Sequence, residues 1–175
     1  MTIWFTSDEH LDDQSIIGIC NRPWSQAEEM SLGIISTVND LTKEGDVIYH
    51  IGDWCRHGIM NALRTQQLMS MYKKGIQHHL ILGNHDRLPP FDYVEMGFTS
   101  VHTSLILGDL ALVHDPCVFD IIKGKYTLAC GHVHGLFKNV KEVVNVGVDL
   151  HDYKPITLEH LMNLSIEGRR TYYGS

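Results

Sequence analysis

The sequence predicts an α/β protein, and three observations carry that prediction. Short apolar runs recur along the chain and break off at glycine or an acidic residue. Each run is followed by a polar turn or a segment of helical period. The side chains able to bind metals cluster just after the runs and not along helix faces. With 175 residues, 43% of them hydrophobic, the chain has apolar material for one packed core, and residues 1–175 read as a single domain.

Taken in order, the strands are residues 3–6, ending before Asp8-Glu9-His10, then 46–51, ending before Gly52-Asp53, and 79–82, ending before Gly83-Asn84-His85-Asp86. Next come 100–107, 110–114 with His114-Asp115 at its end, 126–130 leading into Gly131-His132-Val133-His134, and 143–146. The clearest helix covers residues 26–41. Ser25 and Glu28 have capping-box spacing, and Met30, Ile34, Val38 and Leu41 form one apolar stripe. A second helix covers 59–73 and closes near Gly75; a third starts after Thr157 with Leu158, Leu161, Met162 and Leu164. The turns Leu107-Gly108-Asp109-Leu110 and Gly124-Lys125 read as hairpin or strand-linking turns, which makes the second half the more antiparallel one. No internal repeat, low-complexity tract or linker stands out.

Composition narrows the function classes. Lys plus Arg number 14 and Asp plus Glu 21, a net charge of −7, which is the wrong sign for holding nucleic acid through the bulk field. No strong nucleic-acid binding is therefore expected. The four cysteines, Cys20, Cys55, Cys117 and Cys130, form no C-x-x-C pair, which argues against a disulfide framework and a zinc finger. The N-terminal segment has no basic stretch, and no run approaches the roughly 18 apolar residues of a membrane helix. A cytoplasmic protein without a membrane partner is the expectation. The outlier is histidine, with 12 copies, which asks for metal or proton-transfer chemistry.

In α/β sheets, ligands gather beyond the carboxyl ends of strands, where loops from distant parts of the chain converge. The strand-end loops here offer oxygen ligands from Asp8, Asp53 and Asn84 and imidazoles from His10, His114, His132 and His134. Seven such groups without a thiolate are too many for one tetrahedral zinc and suit two divalent ions sharing a carboxylate. Two such ions would outweigh the carboxylates and leave a locally positive centre that attracts an anion such as phosphate.

The series Asp8-x-His10, Gly52-Asp53, Gly83-Asn84-His85-Asp86, His114 and Gly131-His132-x-His134 resembles the calcineurin-like metallophosphoesterase superfamily, with all motifs in the family's order. The resemblance implies a two-sheet β-sandwich flanked by helices, a four-layer αββα fold, with a binuclear site at one edge of the sheets. It implies that Asp8, His10 and His134 hold one metal, that Asn84, His114 and His132 hold the other, and that Asp53 bridges them. It gives His85 the role of general acid, facing the leaving group, and makes a metal-bridging hydroxide the nucleophile. Asp86 is read either as orienting His85 or as capping its turn. The ions are expected to be manganese, with iron, zinc, cobalt or nickel as alternatives.

Details within the superfamily discriminate further. The second block, Gly52-Asp53-Trp54-Cys55-Arg56-His57-Gly58, lacks the second acid of phosphoprotein phosphatases, and the last motif has two histidines. The pattern is closer to the phosphodiesterase and nuclease branches, and an acidic chain of this length has no room for a DNA-binding portion. Asn21-Arg22-Pro23 and Asn145-Val146-Gly147-Val148-Asp149 resemble segments of small bacterial and phage phosphoesterases, though Leu11-Asp12-Asp13 stands where that group often has a histidine. The expected function is hydrolysis of small, nucleotide-derived phosphodiesters. The alternatives are a phosphomonoesterase or nuclease of the same superfamily, or a metal-binding interaction scaffold without catalysis.

Other residues are read against plainer roles. Arg22 is the candidate for gripping the substrate phosphate, its alternative being a surface arginine fixed by Pro23. Asp12-Asp13 reads as a solvated turn, Trp54 as packing with stacking on a base or aglycone as its alternative, and Arg56 and His57 as ordinary, with lining of the mouth as the alternative for one of them. The seven histidines outside the motifs read as ordinary, with His78-His79 facing solvent at the start of a strand.

Overall fold

The computed structural model describes residues 1–56, 62–122 and 124–173. The chain runs β1 (Ile3–Thr6), α1 (Gln14–Ile19), α2 (Ala27–Leu41), β2 (Val47–Ile51), α3 (Ala62–Ser70), β3 (Gln77–Ile81), α4 (Pro90–Met96) and β4 (Ser100–His102). It continues through β5 (Leu105–Leu107), β6 (Leu110–Leu112), α5 (Phe119–Ile122), β7 (Thr127–Cys130), β8 (Asn139–Val140), β9 (Val143–Asn145), β10 (Ile156–Thr157) and α6 (Leu158–Tyr173).

Two five-stranded mixed sheets result, in the orders β10-β1-β2-β3-β4 and β5-β6-β7-β9-β8. In the first, β1 to β4 pair in parallel and only β10 is antiparallel; in the second, β5 with β6 and β8 with β9 are antiparallel. The expected two-sheet α/β architecture and the more antiparallel second half are both present. The stretch read as one strand, 100–107, is two short strands in different sheets, so the chain changes sheet between His102 and Leu105.

Strand alternation explains the layers. Along β2, Val47, Tyr49 and Ile51 point between the sheets, where they meet Phe5, Leu112, Ala129 and Val144. Ile48 points the other way, into a core with Ile34, Val38 and Leu68 from α2 and α3. The outer face of the second sheet packs Leu128, Cys130 and Val143 against Val118 and Phe137. In α2, Met30, Ile34 and Val38 are buried as the stripe predicts, whereas Leu41 at the helix end is 42% exposed. The capping box does not form: Gln26 is the N-cap and Ser25 Oγ bonds Glu29 Oε2 at 3.1 Å. The second helix is seen from Ala62 to Ser70, and residues 59–61 of its expected span lie outside the described residues. Leu107-Gly108-Asp109-Leu110 is a true hairpin between β5 and β6.

The parallel strands align their carboxyl ends. β1, β2 and β3 of one sheet and β6 and β7 of the other all stop at the same edge of the sandwich. There the sheets are joined by a parallel bridge between Ser7 and Gly147 and by the bond from Val148 N–H to Ser7 O at 3.0 Å.

Candidate metal centre

At this edge the strand-end loops are laced together by their backbones before any side chain enters. Asp8 N–H donates to Gly52 O at 3.0 Å, His10 N–H to Asp53 O at 2.9 Å, and Gly131 N–H to His114 O at 3.0 Å. Asp8, His10, Asp53, His132 and His134 all adopt left-handed backbone conformations, with φ between 44° and 70°. That is half of the ten positive-φ non-glycine residues among the described residues. Such conformations disfavour ordinary side chains and persist where surrounding structure enforces them, typically at functional sites. Gly131 is needed for a different reason: a Cβ there would overlap Ser7 Oγ and Asp8 Oδ2. Gly52, at φ +85°, makes the turn that carries Asp53.

The side chains converge in two groups, Asp8 with His10 and His134, and Asp53 with His114 and His132; within each, the ligand atoms lie within 4.8 Å of one another. Asp53 stands between them. Its Oδ2 is 3.6 Å from His10 Nε2 and 3.2 Å from His114 Nε2. Asn84 joins the second group, with Oδ1 3.0 Å from His132 Nδ1. The Asp8 carboxylate accepts the His132 N–H at 2.9 Å, tying the groups across 124 residues of chain. The His85 ring lies 5.0 Å from the His10 ring, and His85 N–H donates to Asp53 Oδ1 at 2.8 Å. Burial lowers the pKa of His85, with the Asp53 carboxylate pulling the other way.

These residues fit a pair of divalent cations. Among the described residues His10 Nε2 and His114 Nε2 are buried and make no hydrogen bond, each facing the Asp53 carboxylate, an arrangement that suits nitrogens placed to serve as ligands. Groups behind the ligands fix the imidazoles in the required sense. His114 Nδ1 donates to Ile51 O at 2.8 Å, and His134 Nδ1 donates to Asp149 Oδ2 at 2.9 Å, leaving each Nε2 for the centre. Asp13, 3% exposed, caps α1 through Ser15 N–H and has Oδ2 3.6 Å from His10 Nδ1.

Several expectations change here. Arg22 does not reach toward a substrate. It is buried, its Nε and Nη2 donate to Asp149 at 2.8 and 2.9 Å, and Nη1 and Nη2 donate to Glu9 O at 2.9 Å and Asp8 O at 2.7 Å. It therefore positions the ligand loop from behind, since its fork is spent on a carboxylate and two carbonyls. Asp13 is an internal cap and not part of a solvated turn. Asp86 takes the capping role, accepting from Gly83, Asp53 and Trp54 N–H groups at 2.8 to 3.1 Å, and burial pushes its pKa up to about 6. Trp54 is wholly buried core. Arg56 is exposed and donates to Asp13 and Ser15, while His57 lies outside the described residues.

Sequence reasoning missed two supporting groups. One is the Asn145 and Asp149 pair. Asn145 Nδ2 donates to His134 O at 2.7 Å, so both ends of the Asn-Val-Gly-Val-Asp segment hold His134 in place. That segment was visible in the sequence, but its partner, 11 to 15 residues away, was not. The other is a buried chain in which Glu9 Oε1 meets His50 Nδ1 at 2.5 Å and His50 Nε2 meets His78 Nδ1 at 3.0 Å. Burial pushes the Glu9 carboxyl up and the His50 imidazole down, each toward its neutral form. His78, read as solvent-facing, is 3% exposed because the strand begins at Gln77 and turns it inward.

A two-sheet α/β sandwich with an imidazole and carboxylate cluster at the strand ends defines the protein as one with a candidate metal-binding centre at the edge of its sheets. The chain belongs to the calcineurin-like phosphoesterase family, which matches residues 1–160. It is 28% identical over 176 residues to the uncharacterized protein MJ1445 of Methanocaldococcus jannaschii, covering 95% of this chain and 93% of that one. Among solved structures it resembles the protein of unknown function AQ665 from Aquifex aeolicus, at a TM-score of 0.70 and 22% identity, over 93% of this chain and 98% of the other. It also resembles the Pseudomonas putida nuclease MPE, at a TM-score of 0.53 and 19% identity, over 75% of this chain and 61% of that one. These structural likenesses concern the fold.

Proposed function

We propose that this protein hydrolyses small phosphodiesters, nucleotide-derived ones among them, with two divalent cations, manganese first among the candidates. The observation that carries the reading is the Asp53 carboxylate, set 3.6 Å from His10 Nε2 and 3.2 Å from His114 Nε2, between two groups of converging ligands. In this reading Asp8, His10 and His134 hold one ion, Asn84, His114 and His132 hold the other, and Asp53 serves both. When bound, such a pair neutralises charge on the phosphoryl oxygens and lowers the pKa of water enough to make it a nucleophile at neutral pH. Water would add to phosphorus and give up a proton to solvent, the P–O bond to the leaving group would break, and His85 in its protonated form would deliver a ring N–H proton to the departing oxygen. The Asp53 contact to His85 N–H holds that residue beside the centre. The net charge of −7 favours a small substrate over a nucleic-acid polymer, and four free cysteines suit a reducing cytoplasm.

The test is turnover of bis(p-nitrophenyl) phosphate and of p-nitrophenyl phosphate by protein reconstituted with Mn²⁺, with a chelated control. Metal-dependent cleavage of the diester in preference to the monoester is the expected result. Cleavage of the monoester alone would make it a phosphomonoesterase, and no cleavage of either would overturn the enzymatic reading.

A further inference from the structure

Between the candidate ligands Asp8 and His10 stands Glu9, a fully buried carboxyl that the chemistry above leaves unused. The backbone is left-handed on both sides of it, at φ 57° for Asp8 and 49° for His10. Side chains alternate through this loop. The Asp8 carboxylate accepts the His132 N–H at 2.9 Å and His10 Nε2 faces Asp53, whereas Glu9 runs the other way, toward His50 and the core beneath the helices.

What Glu9 meets there spans three neighbouring strands. Its Oε1 lies 2.5 Å from Nδ1 of His50 in β2, and His50 Nε2 lies 3.0 Å from Nδ1 of His78 in β3. The His50 ring is stacked on His78 at 5.3 Å and met edge-on by Trp54, Tyr72 and Phe98. Among the described residues Glu9 Oε2 and His78 Nε2, at the two ends, are buried and make no hydrogen bond. A polar chain with open ends inside an aromatic core costs stability relative to apolar side chains of the same shape. Stability alone does not account for it.

The same loop is held through its backbone. Arg22 takes the Asp8 and Glu9 carbonyls at 2.7 and 2.9 Å, and the Asp8 and His10 N–H groups bond Gly52 O and Asp53 O. Left-handed residues other than glycine relax unless their surroundings enforce the conformation. With the Glu9 carboxyl tied on the core side, alternation along the chain sends both its neighbours to the metal side. We infer that Glu9 is a positioning residue for the ion that Asp8, His10 and His134 would hold. Tied to His50 and, through it, to His78, it sets the direction of the Asp8 and His10 side chains. Asn84, His114 and His132 stand on other loops and do not depend on it.

The inference rests on the two-ion reading above, and its test is read in metal affinity and not in turnover. Mn²⁺ is titrated calorimetrically, at one pH, into the metal-free protein and its variants. Glu9→Leu keeps the bulk and loses the bond to His50. It should weaken one of the two binding events by about tenfold or more, as for other groups that orient a metal ligand, and leave the other unchanged. Glu9→Gln should restore the affinity, because an amide carries both a donor and an acceptor and serves either tautomer of His50. His50→Leu removes the partner without altering the loop, so it should match Glu9→Leu and carries the test if that variant does not fold. Asp46→Asn, which loosens β1 at its other end, is the control for lost stability and should leave both events unchanged. Unchanged affinities in the leucine variants, equal losses at both events, a loss that glutamine does not rescue, or the same loss in Asp46→Asn would overturn the positioning role. Failure of both leucine variants to fold would make the chain purely structural and overturn it too. A wild-type protein that binds a single ion would overturn the two-ion reading; a loss at that ion rescued by glutamine would still support Glu9, and no loss would overturn it. Two bound ions without cleavage of any ester would overturn the phosphodiesterase reading and leave the affinity result standing.

Discussion

Asp53 is the residue on which the two candidate ligand groups meet. In Asp53→Asn the amide keeps the shape but loses the charge that both halves use. Calorimetric titration with Mn²⁺ should show fewer than two bound ions, with activity abolished. His85 touches the centre from outside the ligand set. His85→Ala should keep both ions and lose turnover by roughly 100-fold or more, the usual loss for a general acid; full turnover would remove its acid role. Behind the ligands, Asp149 fixes the His134 tautomer and takes two bonds from Arg22. Asp149→Asn should weaken metal affinity by roughly 10- to 100-fold, in line with other groups that orient a metal-bound histidine. The motif residues were legible one by one in the sequence. The role of Arg22 was not, because an arginine near a phosphate site and one bracing a loop look alike until the partners of its N–H groups are known.

At the scale of elements, the site depends on β1 and β2 being held in register. Asp46 does this at the end away from the ligands: it accepts from Thr2 N–H at 2.7 Å, Trp4 Nε1 at 3.1 Å and Lys43 N–H at 3.2 Å. Although burial alone would raise its pKa, these donors outweigh it and lower the pKa. A carboxylate with a depressed folded-state pKa stabilises fully above its unfolded value of about 3.9 and loses that contribution as pH falls through the folded value. Asp46→Asn should therefore cost about 1 to 2 kcal/mol at pH 7 in urea unfolding, with the deficit shrinking below about pH 4. An undiminished deficit in acid would show that the charge is not what matters. Element types were well marked by sequence where burial pattern and length agreed, as in β1, β2 and α2. The exchange of sheets between β4 and β5 was hidden, because Ser-Val-His and Leu-Ile-Leu, separated only by Thr103-Ser104, read locally as one extended run whether they share a sheet or not. α1 and α4 were missed as well, being six and seven residues long, too short for helical period to stand out.

For the whole molecule, metal binding and stability are expected to be linked. Five candidate ligand residues hold left-handed backbone conformations, and among the described residues His10 Nε2 and His114 Nε2 are buried without a hydrogen bond, so bound ions would offset a local penalty. Chelation should lower Tm: a ligand at 100 times its Kd contributes about 2.7 kcal/mol, which is about 5 to 10 °C for a chain of this size. An unchanged Tm on adding EDTA to the Mn²⁺-loaded protein would mean the centre is rigid without its ions. Among the described residues, no helix is long and apolar enough to cross a membrane.

The sequence by itself determined most of the strands, the polar loops at their ends and the donor types, because these follow from local periodicity and from which side chains bind metals. Only the tertiary structure decided which donors face one another, that Arg22 braces the ligand loop, and that Glu9, His50 and His78 form a buried chain. Those outcomes depend on contacts between residues 13 to 127 positions apart, set by how two sheets pack and by which N–H groups are left over once the backbone is paired.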